Sequence, residues 1–412
     1  MSQEKHDPYA VLKIAEFRLF VSARLMLTIA LQIQAVVVGL QIYHLTKDPL
    51  ALGLIGLAEV VPALSVSLFA GHISDLKNRR HILLVCMAVM FFCAVGLWYY
   101  SLPAVANKTT FPIYGIIFLT GIARGFFNPA NFSFFSQLVP SKLYSNATTW
   151  SSTTWQIGAV TGPAAGGLLY GFFGITTAYT VDLILIGCAL TCLSLVSNKP
   201  MPTRMAKEKI MTSLGVGFKF VFSQQVILAA LSLDLFAVLF GGAEALLPIF
   251  CDKILHVGPQ GLGFLRAAPA VGAVLMAFYM AHYPPTKHAG RNVLFAAAGF
   301  GLCMLLFGIS TNFWLSLGIL LVSGAFDNVS VVIRGTILQT MTPDGMRGRV
   351  AAVNSMFIGS SNELGAFESG VAAKWLGLVR SVVLGGIITM GVVSTVGLTA
   401  PKLRKLNLDQ KN

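Results

Sequence analysis

The chain has 412 residues, 55% of them hydrophobic and only 11% charged, with a formal net charge of +13. A soluble domain carries about 25% charged residues, so this chain lacks the polar material to cover a water-facing surface of its size. An excess of Lys and Arg suits a nucleic-acid surface in a soluble protein, but in a chain this apolar it suits the positive-inside bias of a membrane protein.

In chain order, Met1 to Pro8 is polar, and no apolar core with a small-residue cleavage site follows a basic start, so no cleaved signal peptide is expected. Long apolar runs follow. Leu50 to Ala70 holds one acid, Glu59, and Phe295 to Ala325 holds no charge. A bilayer crossing takes about 20 mostly apolar residues, so the length accommodates about twelve spans. They are expected near residues 16–45, 50–74, 81–101, 111–138, 143–171, 176–197, 223–252, 259–283, 291–310, 312–341, 346–375 and 379–400. Helices are the default, because lipid offers no partner to a backbone N–H or C=O. The six cysteines fall mostly within or at the ends of these runs, without metal-ligand spacing, and read as small core residues.

The charges orient the spans. One set of loops holds Lys5, Lys13, Arg18, Lys77, Arg79, Arg80, Lys142, the basic run from Lys199 to Lys219, Lys287, Arg291, Arg347, Arg349 and the C-terminal Lys402 to Lys411. The opposite set holds only Lys47, Lys108, Lys253, Lys374 and Arg380. That asymmetry predicts cytoplasmic termini and an even number of spans. The polar stretch around Pro200 and Pro202 divides the chain into expected halves of six helices, residues 1–197 and 223–412, with a cytoplasmic linker over 198–222. The halves echo each other. Gly56-x-x-Glu59-x-x-Pro62 matches Gly263-x-x-Arg266-x-x-Pro269, and Gly121 and Pro140 match Gly324 and Pro343. A duplicated parallel six-helix unit is an architecture of secondary transporters.

Three motifs point the same way. The loop after span two reads Gly71-His72-Ile73-Ser74-Asp75-Leu76-Lys77-Asn78-Arg79-Arg80. Span five holds Gly158-x-x-x-Gly162-Pro163-x-x-Gly166-Gly167, a small-residue surface on which two helices can touch backbone to backbone. Further on come Val331 to Thr336, Thr342 to Val350, and Ser361 to Gly370. The first resembles the major facilitator signature G-x-x-x-D-R-x-G-R-R, departing at Leu76 and Asn78. The second resembles that superfamily's antiporter motif. The third, with Glu16-Phe17-Arg18-Leu19-Phe20 and Pro49 to Leu54, resembles the branch containing the enterobactin exporter and macrolide or drug exporters. The resemblance implies an all-α major facilitator fold. It also implies a cytoplasmic gate built from Gly71, Asp75, Lys77, Arg79 and Arg80, and export rather than uptake.

Ionisable groups inside spans are costly and are functional candidates by default. Arg24, Arg124, Arg266 and Arg334 are such groups, as are Glu59, Asp182, Asp234, Glu244, Asp327, Glu363 and Glu368. Arg24, Gln34 and Gln41 give span one a polar side. Asp327 and Arg334, two turns apart, share a face of span ten, and Glu59 and Arg266 hold equivalent positions in the two halves. Arg24, Gln34, Glu59, Arg124, Asp234, Glu244, Arg266, Asp327 and Arg334 are therefore the expected substrate and proton pathway, with Glu59, Asp234, Glu244 or Asp327 as proton carrier. The arginines favour an anionic or partly anionic substrate, such as a catecholate siderophore.

The function expected is proton-coupled antiport of a small amphipathic molecule across a bacterial inner membrane, by a monomer. Its partners would be a small-molecule substrate, protons and the bilayer, with no nucleic acid, cofactor or metal. A lipid translocator or an importer of the same superfamily is the alternative. The chain has no G-x-x-x-x-G-K-[ST], no H-E-x-x-H and no clustered metal ligands, so no enzyme or ATP-driven pump is expected.

Overall fold

The computed structural model describes residues 9–140, 143–199, 210–283, 285, 287–343 and 346–408, and these form helices and short connections. The helices are α1 (Ala15–Thr46), α2 (Pro49–Leu76), α3 (Arg79–Ser101), α4 (Phe111–Leu138), α5 (Tyr144–Ser194), α6 (Ile210–Ser223), α7 (Gln225–Gly241) and α8 (Leu247–Lys253). They continue with α9 (Pro259–His282), α10 (Ala289–Ile309), α11 (Phe313–Met341), α12 (Arg347–Leu376), α13 (Leu378–Thr399) and the short α14 (Pro401–Arg404). Part of the expected linker, residues 200–209, lies outside the described residues; residues 210–222 of it belong to α6.

Local chemistry sets the ends. Asn78 accepts hydrogen bonds from the Arg80 and His81 N–H groups at the start of α3, and Asn312 accepts one from Leu315 at the start of α11. Pro112 and Pro259 sit in the first turns of α4 and α9, where a missing N–H costs nothing.

Ten helical segments among the described residues are long and apolar enough to cross a membrane. One of them, Asn146–Ser194, is too long for a single crossing at about 1.5 Å per residue. It divides at Gly174, whose φ of 83° and ψ of 173° are open only to glycine. The two pieces are spans five and six. Gly377 makes the same junction between α12 and α13, with φ 87° and ψ 158°. The two glycines lie 203 positions apart, the same offset as Gly121 to Gly324. With α12 as a membrane-length helix of more polar sequence, the described residues form twelve spans of an all-α polytopic fold.

The chain clusters into two compact units, one holding 1–38 with 61–205 and the other 39–60 with 206–412. The core of the first unit packs Phe17 and Phe20 of α1 edge-on against Phe134 and Phe135 of α4, with Met87 and Met90 of α3 and Ile186 of α5. The second has a core of Val221, Ile227, Val293, Ile333, Ile337 and Val353. Glycines let its helices α9 and α11 touch backbone to backbone. A Cβ on Gly272 of α9 would lie 1.8 Å from the Leu321 carbonyl oxygen, and one on Gly324 of α11 would lie 1.9 Å from that of Pro269.

Candidate functional site: charged groups within the spans

In the first unit, Arg24 of α1 is half-buried and donates to the Ser151 hydroxyl of α5. No carboxylate among the described residues lies within ion-pair distance of it. Gln34, ten residues along α1, is buried, and Arg124 is half-buried on α4. Asp182 is fully buried in span six, and neither of its oxygens has a hydrogen-bond partner.

The antiporter-like glycines seat α5 directly on α1. A Cβ on Gly158 would meet Thr28 at 2.7 Å, one on Gly162 would meet Gln32 at 2.5 Å, and one on Gly166 would approach Ile33 at 3.1 Å. Pro163 and Gly167 are buried in the same stretch, and the backbone stays helical through Pro163.

In the gate motif, the side chains of Gly71 and Asp75 lie outside the described residues. Lys77 is exposed. Arg79 donates to the Ser133 carbonyl of α4 at 3.3 Å, and Arg80 to the Ser194 carbonyl at the end of α5 at 2.5 Å. A cation at the last carbonyls of a helix is favoured by both charge and hydrogen bonding.

The second unit concentrates the charge. Arg334 of α11 pairs with Asp234 of α7, with side-chain exposures of 4% and 8%. The contact is ionic, since Arg334 Nη1 makes no well-aligned hydrogen bond. Asp327, two turns earlier on α11, lies in the electrostatic field of Asp234, Arg334 and Glu244. It shares a small cavity with Asp234, Ala237, Phe300, Phe326 and Ser330. Asp234 and Asp327 thus come together, and Arg334 finds its partner on another helix.

Arg266 of α9 has no carboxylate within ion-pair distance among the described residues, and its Nε is shielded without a hydrogen-bond partner. The acids that act on it from further away are Glu244 and Glu363. Glu244 is exposed, and Glu59 of α2 is half-buried. Glu363 Oε2 lies 3.2 Å from where a Gly56 Cβ would stand, so the missing side chain admits the carboxylate.

Glu244 stands at a break. Span seven, expected as one helix, ends at Gly241 and resumes in a 3-10 turn, Glu244–Leu246, and α8. Non-helical backbone at membrane depth is tolerated only where protein buries it or water reaches it. Here Ser369 of α12 donates to the Gly242 carbonyl at 2.9 Å.

Sequence reasoning missed a polar cluster around the α1–α2 connection. The Tyr43 hydroxyl donates to Asp252 at 2.5 Å, and Lys47 reaches the same carboxylate at 3.3 Å. Lys47 also lies 4.4 Å over the Tyr43 ring. Asp48 caps α2 through the Leu50 N–H at 3.0 Å and pairs with Lys374 of α12 at 2.8 Å. Partial burial pushes the Asp48 carboxyl up, but the Lys374 contact and the Leu50 N–H outweigh it and hold it below the usual aspartate range. A lowered folded value means the contact contributes its stability above the unfolded pKa and loses it as pH falls through the folded one. Both groups are more than a third exposed, so Lys374→Met is expected to cost less than about 1 kcal/mol at neutral pH. Thermal unfolding of both proteins over a pH series checks this. The difference should vanish below the aspartate range, and a constant difference would show that the pair is idle.

The comparisons agree with this geometry. The profile of the family described as "Transmembrane secretion effector" matches residues 6–412. The chain is similar to the enterobactin exporter EntS of Escherichia coli and of Shigella boydii, 26% identical over 340 residues, 81% of this chain and 79% of each relative. Among solved structures it is similar to a bacterial homologue of the human lysosomal transporter Spinster, at TM-score 0.71 and 14% identity over 95% of this chain and 99% of that one. A POT-family transporter, PepTSo, gives 0.74 and 12% over 95% and 98%, and a D-xylose–proton symporter 0.71 and 14% over 97% and 99%. At these identities the solved structures bear on the fold. Twelve spans, paired charges inside them and a whole-length family match together make this chain a multi-pass membrane transporter of the major facilitator superfamily, belonging to its transmembrane secretion effector family.

Proposed function

We propose that the protein is a proton-driven exporter of a small, partly anionic amphipathic molecule, of the catecholate siderophore or drug class, working by alternating access. The observation that carries the substrate charge is the state of the in-span arginines. Arg334 is neutralised by Asp234, whereas Arg24 and Arg266 have no carboxylate at ion-pair distance among the described residues. A guanidinium in a span without a directly paired carboxylate is suited to an anionic or hydroxyl-rich aromatic ligand. The curated relatives named as enterobactin exporters support a catecholate.

The cavity shared by Asp234 and Asp327 supports proton coupling, because an acid beside a locked ion pair can gain and lose a proton without unpairing the arginine. The matched junctions at Gly174 and Gly377 support two six-helix halves, residues 1–197 and 223–412, joined by 198–222. The Lys and Arg asymmetry supports cytoplasmic termini in a bacterial inner membrane. The working unit is taken as a monomer.

The test is uptake into everted membrane vesicles, offered enterobactin, a macrolide and a lipophilic cation under a pH gradient. Accumulation of enterobactin that collapses with a protonophore is expected. Arg266→Gln should lower it about tenfold to a hundredfold, the loss of one charge-assisted contact of about 1.5–3 kcal/mol. Accumulation indifferent to the protonophore would overturn proton coupling. No accumulation of any compound by correctly inserted protein would overturn the substrate class and favour a lipid.

A further inference from the structure

The break in span seven opens onto a second small cavity, one turn along α7 from that of Asp234 and Asp327. It is lined by Phe240, Gly241, Gly242, Ser369, Ser381 and Glu368. One main-chain bond closes α7, Gly242 N–H to the Val238 carbonyl at 3.1 Å, and another opens the 3-10 turn, Leu246 N–H to the Ala243 carbonyl at 3.0 Å. Among the described residues no main-chain donor from Ala243, Glu244 or Ala245 reaches the carbonyls of Leu239, Phe240 and Gly241. The first two are packed against Gly365 of α12 and Gly385 of α13, whose absent side chains make room for them. Gly241 itself lines the cavity, and none of those three main-chain donors reaches its carbonyl. A helix end of this kind presents partial negative charge and attracts a cation or a proton.

Glu368 faces this acceptor-rich end without help. No hydrogen bond or ion pair reaches its carboxyl among the described residues. Both hydroxyl hydrogens of the lining are committed elsewhere, Ser369 to the Gly242 carbonyl and Ser381 to the Leu378 carbonyl at 2.8 Å. α7, α12 and α13 bring no other charged side chain to the lining. Glu244 and Glu363, the nearest acids along the chain, are not part of it. Glu368 is half-buried; ionised, it would have neither protein donor nor counter-ion among the described residues, and an unpaired charge within a span is costly. A neutral acid there has a carbonyl to which its O–H can donate.

We propose that Glu368 and the opened end of α7 form a proton-binding site, separate from Asp234 and Asp327, at which the protonated carboxyl donates to the main chain of the break. Its part in driving export rests on the proton-coupled reading above; the binding of the proton does not.

The test is labelling of the full-length protein in liposomes with dicyclohexylcarbodiimide, which attacks protonated carboxyls in apolar surroundings, followed by peptide mass spectrometry. An adduct on Glu368 is expected, its yield falling about tenfold or more from mildly acidic to alkaline pH as the acid ionises. Glu368→Gln should remove this adduct alone. Glu368→Asp, which keeps the carboxyl, should restore pH-dependent labelling if the glutamine variant folds poorly. A yield independent of pH, or no adduct at any pH, would overturn the proposal. Protection by sodium ions at constant pH would overturn it in favour of a metal cation. Labelling needs no substrate, so a wild-type protein that ignores the pH gradient in vesicles would defeat the exporter reading and leave this result standing.

Discussion

Replacing Arg334 alone by glutamine should destabilise the folded protein by about 3–5 kcal/mol, the cost of leaving one member of a buried ion pair behind. The magnitude follows from burial. Arg334 and Asp234 are both almost fully enclosed, so neither can recover hydration when its partner is removed. Asp234→Asn should cost a similar amount. The double variant should cost much less than the sum, because two neutral amides leave no uncompensated charge. Thermal unfolding of the four purified proteins in one detergent decides it. Additive losses would show that the two side chains do not act as a pair. The double variant also separates stability from transport. If it folds yet fails to export under a pH gradient, the pair serves the proton cycle as well as the fold.

That pair also marks where sequence reasoning stopped. The spans are legible because a bilayer crossing is written locally, as about 20 mostly apolar residues in a row. Residues seven apart share a helix face, so spacing puts Arg334 and Asp327 on one side of α11, two turns apart, and names no partner for the arginine. The structure gives it to Asp234, exactly 100 positions earlier, and helical spacing carries no information about which helix is the neighbour. Gly241 and Gly242 followed by Pro248 were the local signal for the break in span seven, hidden by a hydropathy that stays high across it. In the sequence Lys47 and Lys374 stand only as loop charges, because the aspartate each one meets lies far away along the chain. Gly174 and Gly377 could have been found, since they share the offset of Gly121 and Gly324. A lone glycine in an apolar run, however, does not announce a positive φ.

Gly324→Ala should destabilise the second unit by about 3 kcal/mol, the top of the usual range for overpacking. The added Cβ would stand 1.9 Å from the carbonyl oxygen of Pro269 and 2.5 Å from its Cα, so the obstacle is backbone, which no rotamer change relieves. The contact is reciprocal. Gly272 of α9 meets the Leu321 carbonyl one turn before Gly324, so the two helices clasp each other through paired glycines. Forcing them apart displaces α11, which carries Asp327 only three residues after Gly324 and Arg334 beyond it. Loss of stability should therefore come with loss of pH-driven export in whatever protein still folds. Gly335→Ala on the same helix is the control. Nothing lies within 4 Å of its Cβ position, so the substitution should be neutral or stabilising by up to about 1 kcal/mol through helix propensity. Equal effects from the two substitutions would show that glycine flexibility, and not the clasp with α9, is what Gly324 supplies.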